Sequence, residues 1–196
     1  MFQVRIHGRG GQGVVTAAEM LSVAAFIEGR SAQAFPSFGS ERMGAPVVSF
    51  CRIDERPIRT REPVVEPDAL IIQDVTLIHQ VDLFAGLSPE GYVLVNTSRS
   101  LDDLGLGSLT GQFRRDRLLS CPATELALEQ LGRPLPNVAL LGGFAALTGE
   151  VSLDAVVRAV RQRYPGAVGD QNAAAATAAH QLVVESRTEL SRAAAD

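Results

Sequence analysis

The chain has no lysine, and this absence excludes two common kinds of functional site. All 18 of its basic side chains other than histidine are arginines. Without lysine the chain can form neither a Schiff base with a carbonyl substrate nor the lysine contact of a P-loop. Arginine, backbone amides and hydroxyl groups are therefore the donors left for a phosphate.

Residues that ligate metals are also few, with two cysteines and three histidines in 196 residues. Cys51 and Cys121 lie far apart in the sequence and form no C-x-x-C motif, so they cannot hold an iron–sulfur cluster unaided. We expect both to fill core space as small hydrophobic side chains. His7, His79 and His180 lack the spacing of a zinc site, and we expect no metal on this chain.

Net charge and hydropathy further limit the partners and the cellular location that we expect. A formal net charge of −4 argues against nucleic acid as the main partner. No apolar run reaches membrane-spanning length, and no signal-peptide pattern precedes the first strand, so we expect a cytoplasmic protein that does not contact a membrane. The length predicts one domain over residues 1–196, with 193–196 as a disordered tail.

The hydrophobic pattern predicts an α/β fold. Phe2, Val4 and Ile6 alternate with polar residues as in a strand, and Val14–Ile27 is typical of a helix. The pattern predicts further strands at 31–35, 46–53, 69–72, 92–95 and 117–120, and further helices at 75–84, 122–131, 153–163 and 170–192. Residues 57–59 are expected to pair with 46–53 in a hairpin. Together these elements predict three layers, with a mostly parallel or mixed sheet, a Rossmann-like start, flanking helices and a C-terminal helical cover.

The most informative stretch is Gly8-Arg9-Gly10-Gly11-Gln12-Gly13, between the first strand and the first helix. Glycines allow backbone N–H groups to approach a ligand closely, and a helix N-terminus favours negative charge, so the stretch predicts a phosphate-bearing ligand. Its spacing also matches the G-x-G-x-x-G of dinucleotide-binding folds. Those folds place an acidic residue roughly 20 residues further on, to bind the ribose. Gln33, Ala34 and Phe35 occupy that region here, so NAD is the less favoured ligand.

A second stretch, Phe35–Pro46, is rich in glycine, proline and serine and contains the adjacent charges of Glu41 and Arg42. One interpretation is a tight structural loop with these charges solvated or paired. The other places Arg42 against an anionic ligand, because a guanidinium group can bind phosphate through two hydrogen bonds. Composition alone favours the first interpretation.

Together, the two stretches resemble the γ subunit of 2-oxoacid:ferredoxin oxidoreductases, most closely in the pyruvate/ketoisovalerate branch. Further similarities lie at Arg52–Arg59, at Pro67 and Asp68 with Asp74 and Leu77, at Gly91–Asn96, at Asn137–Gly142 and at Asn172. The resemblance implies a subunit of a complex that decarboxylates a 2-oxoacid oxidatively to acyl-CoA and CO2. Ferredoxin or flavodoxin would accept the electrons, and the isolated chain would be inactive.

The resemblance also implies α, β and δ-type partner subunits. Thiamine diphosphate with Mg2+ and the [4Fe–4S] clusters would lie on those subunits, since this chain lacks the thiamine motif and the cysteines. This chain would have no catalytic residue and would assist coenzyme A binding and assembly. The residues expected to bind coenzyme A are Gly8, Gly10, Gly11, Gln12, Gly13, Ser37, Gly39, Glu41, Arg42 and Gly44. The alternatives are a purely structural assembly subunit and, less favoured, a stand-alone NAD(P)-binding protein.

Overall fold

A six-stranded mixed sheet forms the centre of the computed structural model, which describes residues 1–37, 43–107 and 111–193. The strands are β1 (Phe2–Arg9), β2 (Ser31–Pro36), β3 (Pro46–Asp54), β4 (Ala69–Ile72), β5 (Tyr92–Asn96) and β6 (Leu118–Cys121), in the spatial order β2-β3-β1-β4-β5-β6. Strands β1, β4, β5 and β6 run parallel, whereas β3 is antiparallel to both β1 and β2. The predicted α/β fold with a mixed sheet is confirmed.

Within the described residues, five α-helices pack with one face of this sheet around a common apolar core. They are α1 (Val14–Ile27), α2 (Ala123–Leu131), α3 (Asn137–Thr148), α4 (Leu153–Arg163) and α5 (Ala167–Ala193). Helix α1 has the predicted bounds. Helix α4 starts where predicted because the Ser152 side chain accepts a hydrogen bond from the backbone N–H of Ala155 at 3.1 Å. No helix in the described ranges is long and apolar enough to span a membrane.

Helices α3 and α5 approach closely through glycine. A Cβ atom added at Gly142 would lie 1.9 Å from the backbone oxygen of Ala176, so only glycine allows this helix contact. The apolar helix α3 thus packs against α5. Residues 194–196 of the expected tail lie outside the described residues.

The opposite face of the sheet has a second, smaller core beneath the connecting segments between β4 and β6. The helix predicted at 75–84 is wrong, because this part of the chain contains only the 3₁₀ turn Val75–His79. The Arg5 guanidinium donates to the backbone oxygens of Leu83 and Ala85 at 2.8 and 2.7 Å, so a side chain of β1 holds the segment that follows this turn.

The predicted hairpin between 46–53 and 57–59 is also wrong. Strand β3 already pairs with β1 on one side and with β2 on the other, so no edge of β3 is left for a further strand. Pro57 in addition has no backbone N–H to donate. The sheet is therefore mixed because β3 inserts between β1 and β2.

Candidate phosphate-binding site

The glycine loop, residues Gly8–Gly13, connects β1 to the N-terminus of α1. Gly8 still pairs with Val47 of β3, and the chain then turns through Gly11 and Gly13, whose φ angles are 94° and 73°. Both angles lie in the left-handed region that favours glycine. Gly13 is required for a second reason as well, because a Cβ atom at this position would lie 2.5 Å from Nδ2 of Asn137.

A polar network fixes the loop from inside. The Gln12 side chain accepts a hydrogen bond from the Arg9 backbone N–H at 2.7 Å and donates to Asp74 at 2.9 Å. Arg9 forms an ion pair with Asp74 at 3.2 Å. Burial opposes ionisation of Asp74, but hydrogen bonds from Thr76 and Gln12 outweigh burial and lower the pKa of this carboxyl group. Gln12 thus holds the loop in shape, and Asp74 is a second anchor that the glycine spacing alone did not reveal.

The structure brings part of the second predicted stretch next to the glycine loop. The backbone N–H of Gly10 donates to Ala45 O at 2.9 Å, and that of Gly44 donates to Gly10 O at 3.1 Å. Ser37 N–H donates to Val48 O at 2.9 Å at the other end of the stretch. Gly39, Glu41 and Arg42 lie outside the described residues, so the proposed role of Arg42 stays a prediction.

Some of the loop amides are available for a ligand. Gly10 N–H and Gln12 N–H are used internally, the latter by Arg9 O at 3.0 Å. The amides of Gly11 and Gly13 have no acceptor among the described residues. The first helical hydrogen bond of α1 comes from Ala17, which leaves the three preceding amides of the helix without an intrahelical acceptor. These free donors all lie at the positive end of the helix dipole.

Two depressions flank the free amides, and both are lined by Gly11, Gly13 and Thr16. The first, of about 420 Å³, lies between the glycine loop, the loop that joins α2 to α3, and the start of α5. We call it the Arg133 cleft after the arginine on its α2–α3 wall. The second, of about 310 Å³, includes Arg9. A third depression, of about 490 Å³, lies at the ends of β4 and β5 and touches the network through Gln12 and Asp74.

Strand β2 bears on the dinucleotide interpretation. In a nicotinamide-binding fold the strand after the first helix lies beside β1 and ends near the ribose. Here the neighbour of β1 on that side is the antiparallel β3, and β2 lies beyond it at the edge of the sheet. The position of β2 at the edge of the sheet and its lack of Asp and Glu therefore both argue against an acidic residue of this strand binding the ribose.

The two cysteines and Arg52 of β3 are part of the fold. Cys51 and Cys121 are unpaired and buried, and burial raises the pKa of each thiol to about 12.

Arg52 is buried, donates to Gln3 Oε1 at 3.1 Å and stacks over Phe35 at 5.1 Å from the ring centre. Among the described residues no cluster of three or more His, Cys, Asp or Glu is placed to hold a metal.

Comparison with known proteins gives the family. The model of the pyruvate ferredoxin/flavodoxin oxidoreductase family matches residues 3–182. The chain belongs to this family. Pyruvate synthase subunit PorC of Methanothermobacter marburgensis is 45% identical over 186 residues, which are 95% of this chain and 99% of the relative. The common γ subunit of the pyruvate/ketoisovalerate oxidoreductases of Pyrococcus furiosus is 46% identical over 92% of this chain and 96% of its own length. The resemblance to the pyruvate/ketoisovalerate branch is confirmed.

Solved structures agree with the fold. The pyruvate oxidoreductase subunit PORC of Thermotoga maritima superposes with a TM-score of 0.76 at 35% identity, over 92% of this chain and 95% of that one. A 2-oxoglutarate:ferredoxin oxidoreductase of Magnetococcus marinus, solved with 2-oxoglutarate, coenzyme A and succinyl-CoA, superposes with a TM-score of 0.70 at 14% identity. This chain corresponds to 31% of that chain, so the same fold occurs there as one part of a larger polypeptide.

Proposed function

We propose that this chain is the coenzyme A-binding γ subunit of a cytoplasmic 2-oxoacid:ferredoxin oxidoreductase, with pyruvate as the favoured substrate. The relatives named for pyruvate support the choice of substrate. Such a complex converts the 2-oxoacid and coenzyme A to acyl-CoA and CO2, with ferredoxin or flavodoxin as the electron acceptor.

The observation that supports coenzyme A binding is the set of free backbone amides at the N-terminus of α1. Gly11, Gly13 and Thr16, which carry three of the free amides, line the Arg133 cleft, and no Asp or Glu lines this cleft. A diphosphate is the part of coenzyme A that such a group of donors suits. Gln12 and Gly44 would act indirectly by holding the loop, and Arg42 would add a charge-assisted contact to a phosphate.

The redox cofactors belong to the partner subunits in this proposal. A [4Fe–4S] cluster needs about four thiolates, whereas this chain has two cysteines, one on β3 and one on β6. Thiamine diphosphate with Mg2+ and the clusters would therefore lie on α, β and δ-type subunits. The γ subunit would hold coenzyme A and contribute to assembly, but no group of its own would react.

Substitution of Gly11 in the reconstituted complex tests this assignment. Gly11→Asp places a carboxylate beside the diphosphate, and we expect the apparent KM for coenzyme A to rise about tenfold or more, since charged contacts of this kind contribute about 1.5–3 kcal/mol. The added Cβ meets only the side chain of Met43, with Sδ at 2.6 Å, and Met43 is exposed. The positive φ of Gly11 strains any side chain at this position, so Gly11→Asp and Gly11→Asn share that cost.

Gly29→Asp is the matched control, because Gly29 also has a positive φ, of 81°, and nothing within 4 Å of an added Cβ, but lies beyond the other end of α1. Gly11→Asn separates the effect of charge from that of shape. An unchanged KM in an intact Gly11→Asp complex would overturn the coenzyme A assignment and favour a purely structural subunit. Loss of assembly in both Gly11 variants, measured by gel filtration, would point to a loop that packs against a neighbouring chain.

A further inference from the structure

Arg133 lies in a short rigid loop between α2 and α3. Gly132 ends α2 with a left-handed φ of 66°, Pro134 follows Arg133, and Leu135 N–H donates to Arg133 O at 2.9 Å. The Arg133 side chain has no hydrogen bond or ion pair with any residue in the described part of the chain. The backbone therefore places an exposed arginine at the cleft, and no carboxylate of the described residues pairs with it.

Two buried amide side chains line the same cleft. Asn137 and Asn172 are 6% and 5% exposed. Asn172 Nδ2 donates to Val168 O at 2.8 Å, and Asn137 Nδ2 lies 3.4 Å from Gly13 O. The side-chain oxygen of each has no donor among the described residues. A ligand that offers hydroxyl or amino hydrogens would satisfy both oxygens.

Electrostatics distinguishes the Arg133 cleft from its neighbours. In a chain with a net charge of −4, this cleft is lined by one arginine and no carboxylate. The depression on the other side of the glycine loop has Arg9 as its cation, which Asp74 already neutralises. The third depression includes the carboxylates of Asp74 and Glu125. A ligand with several phosphate charges is therefore best accommodated beside Arg133.

The remaining wall of the cleft is apolar and aromatic. Leu131, Leu135, Tyr164 and Val168 line it opposite the glycine loop. Its volume of about 420 Å³ is within the usual range for small-molecule sites, about 300–1,000 Å³. An apolar wall, two accessible acceptor oxygens without a protein donor and a cation set apart from the helix N-terminus match a nucleotide with a second phosphate on its ribose.

We infer that the Arg133 cleft holds the nucleotide end of coenzyme A, with Arg133 binding the 3′-phosphate while the α1 N-terminus binds the diphosphate. This inference rests on the proposed function and adds a specificity residue to it. Because the 3′-phosphate is the only difference between coenzyme A and dephospho-coenzyme A, Arg133 makes the complex discriminate between these two substrates.

The experiment compares both substrates in the reconstituted complex. For Arg133→Gln we expect the apparent KM for coenzyme A to rise about tenfold, with the KM for dephospho-coenzyme A unchanged, so that the preference for coenzyme A falls by the same factor. Arg133→Lys should restore part of the preference, since lysine keeps the charge but not the planar guanidinium. Arg158→Gln is the control, because Arg158 is an exposed arginine on α4 paired with Asp154 at 3.7 Å, and it should change neither KM.

The outcomes separate the two proposals. If Arg133→Gln changes neither KM, or raises both equally, while Gly11→Asp still raises the KM for coenzyme A, Arg133 does not bind the 3′-phosphate and only the further inference fails. If neither substitution affects coenzyme A, both proposals fail. A fall in substrate preference confined to the Arg133 variants supports the inference.

Discussion

The two faces of the central sheet are stabilised in different ways. Val4 and Ile6 of β1 point to the face covered by the helices, where alanine, valine, leucine and glycine pack closely. The alternate residues Arg5 and His7 point to the face covered by the connecting segments, and both are buried there. Close packing leaves no room for added atoms, whereas polar contacts between a few side chains and loop carbonyls can be lost one at a time. We therefore expect substitutions on the helical face to act globally and those on the loop face to act locally.

The largest effect is expected at Gly142 on the helical face. Gly142→Ala places a methyl group 1.9 Å from Ala176 O, so α3 and α5 must separate, and we expect the free energy of unfolding to fall by about 3 kcal/mol or more. Gly143→Ala is the matched control. Its added Cβ would meet only side chains, with Leu94 at 3.1 Å and Val183 at 3.3 Å, and we expect a change of about 1 kcal/mol or less. Urea denaturation of both variants measures the difference, and equal losses would show that the close helix contact is not limiting.

A smaller and more local effect is expected for Arg5→Met on the loop face. The substitution removes both hydrogen bonds to Leu83 O and Ala85 O, and we expect a loss of about 2 kcal/mol, because the buried carbonyl of Leu83 loses its donor. Hydrogen exchange should accelerate selectively at the backbone amides of 83–91. Arg115→Met, at an exposed arginine just before β6, should leave exchange unchanged. Equal acceleration in the helices would contradict a local role for Arg5.

The same contrast explains which parts of the fold follow from the sequence. The bounds of α1 and the start of α4 depend on local signals, the apolar run Val14–Ile27 and the Ser152 cap, and both predictions are confirmed. The helix predicted at 75–84 is wrong, and the segment after the 3₁₀ turn is instead held by hydrogen bonds from Arg5, some 80 residues away in the chain, to Leu83 O and Ala85 O. The hairpin after β3 failed because long-range pairing with β1 occupies the edge that the hairpin needed.

The residues of the candidate site likewise fall into two groups, those that a local sequence pattern indicates and those that only the fold brings together. Gly11 and Gly13 were predictable, because a glycine-rich turn between a strand and a helix is a local pattern with its own chemistry. Asn137, Tyr164 and Arg133 come from separate segments that meet only in the folded chain. The one sequence signal for Arg133 was an arginine between Gly132 and Pro134. This signal indicates a ligand-binding residue only when the opposite wall of the cleft is known.

The effect that distinguishes charge from packing is expected at His7, and it develops only as the pH falls. Burial and the nearby charge of Arg5 lower the pKa of His7 to about 3, and its Nε2 atom has no hydrogen-bond partner among the described residues. In the unfolded chain the pKa returns to about 6.5. The folded state therefore excludes a proton that the unfolded state binds. The contribution of neutral His7 to the free energy of unfolding is therefore fully present above about pH 6.5 and is lost progressively as the pH falls toward 3.

His7→Leu removes this proton linkage while keeping the position apolar. We expect the wild-type chain to lose roughly 2 kcal/mol of unfolding free energy between pH 7 and pH 5 that the His7→Leu chain does not lose. Urea denaturation at several pH values measures the two curves, and data at pH 8 give the packing difference without the protonation effect. Parallel curves for the two chains would show that His7 is protonated equally in both states, and the loop face would then hold its polar groups without a pH-dependent cost.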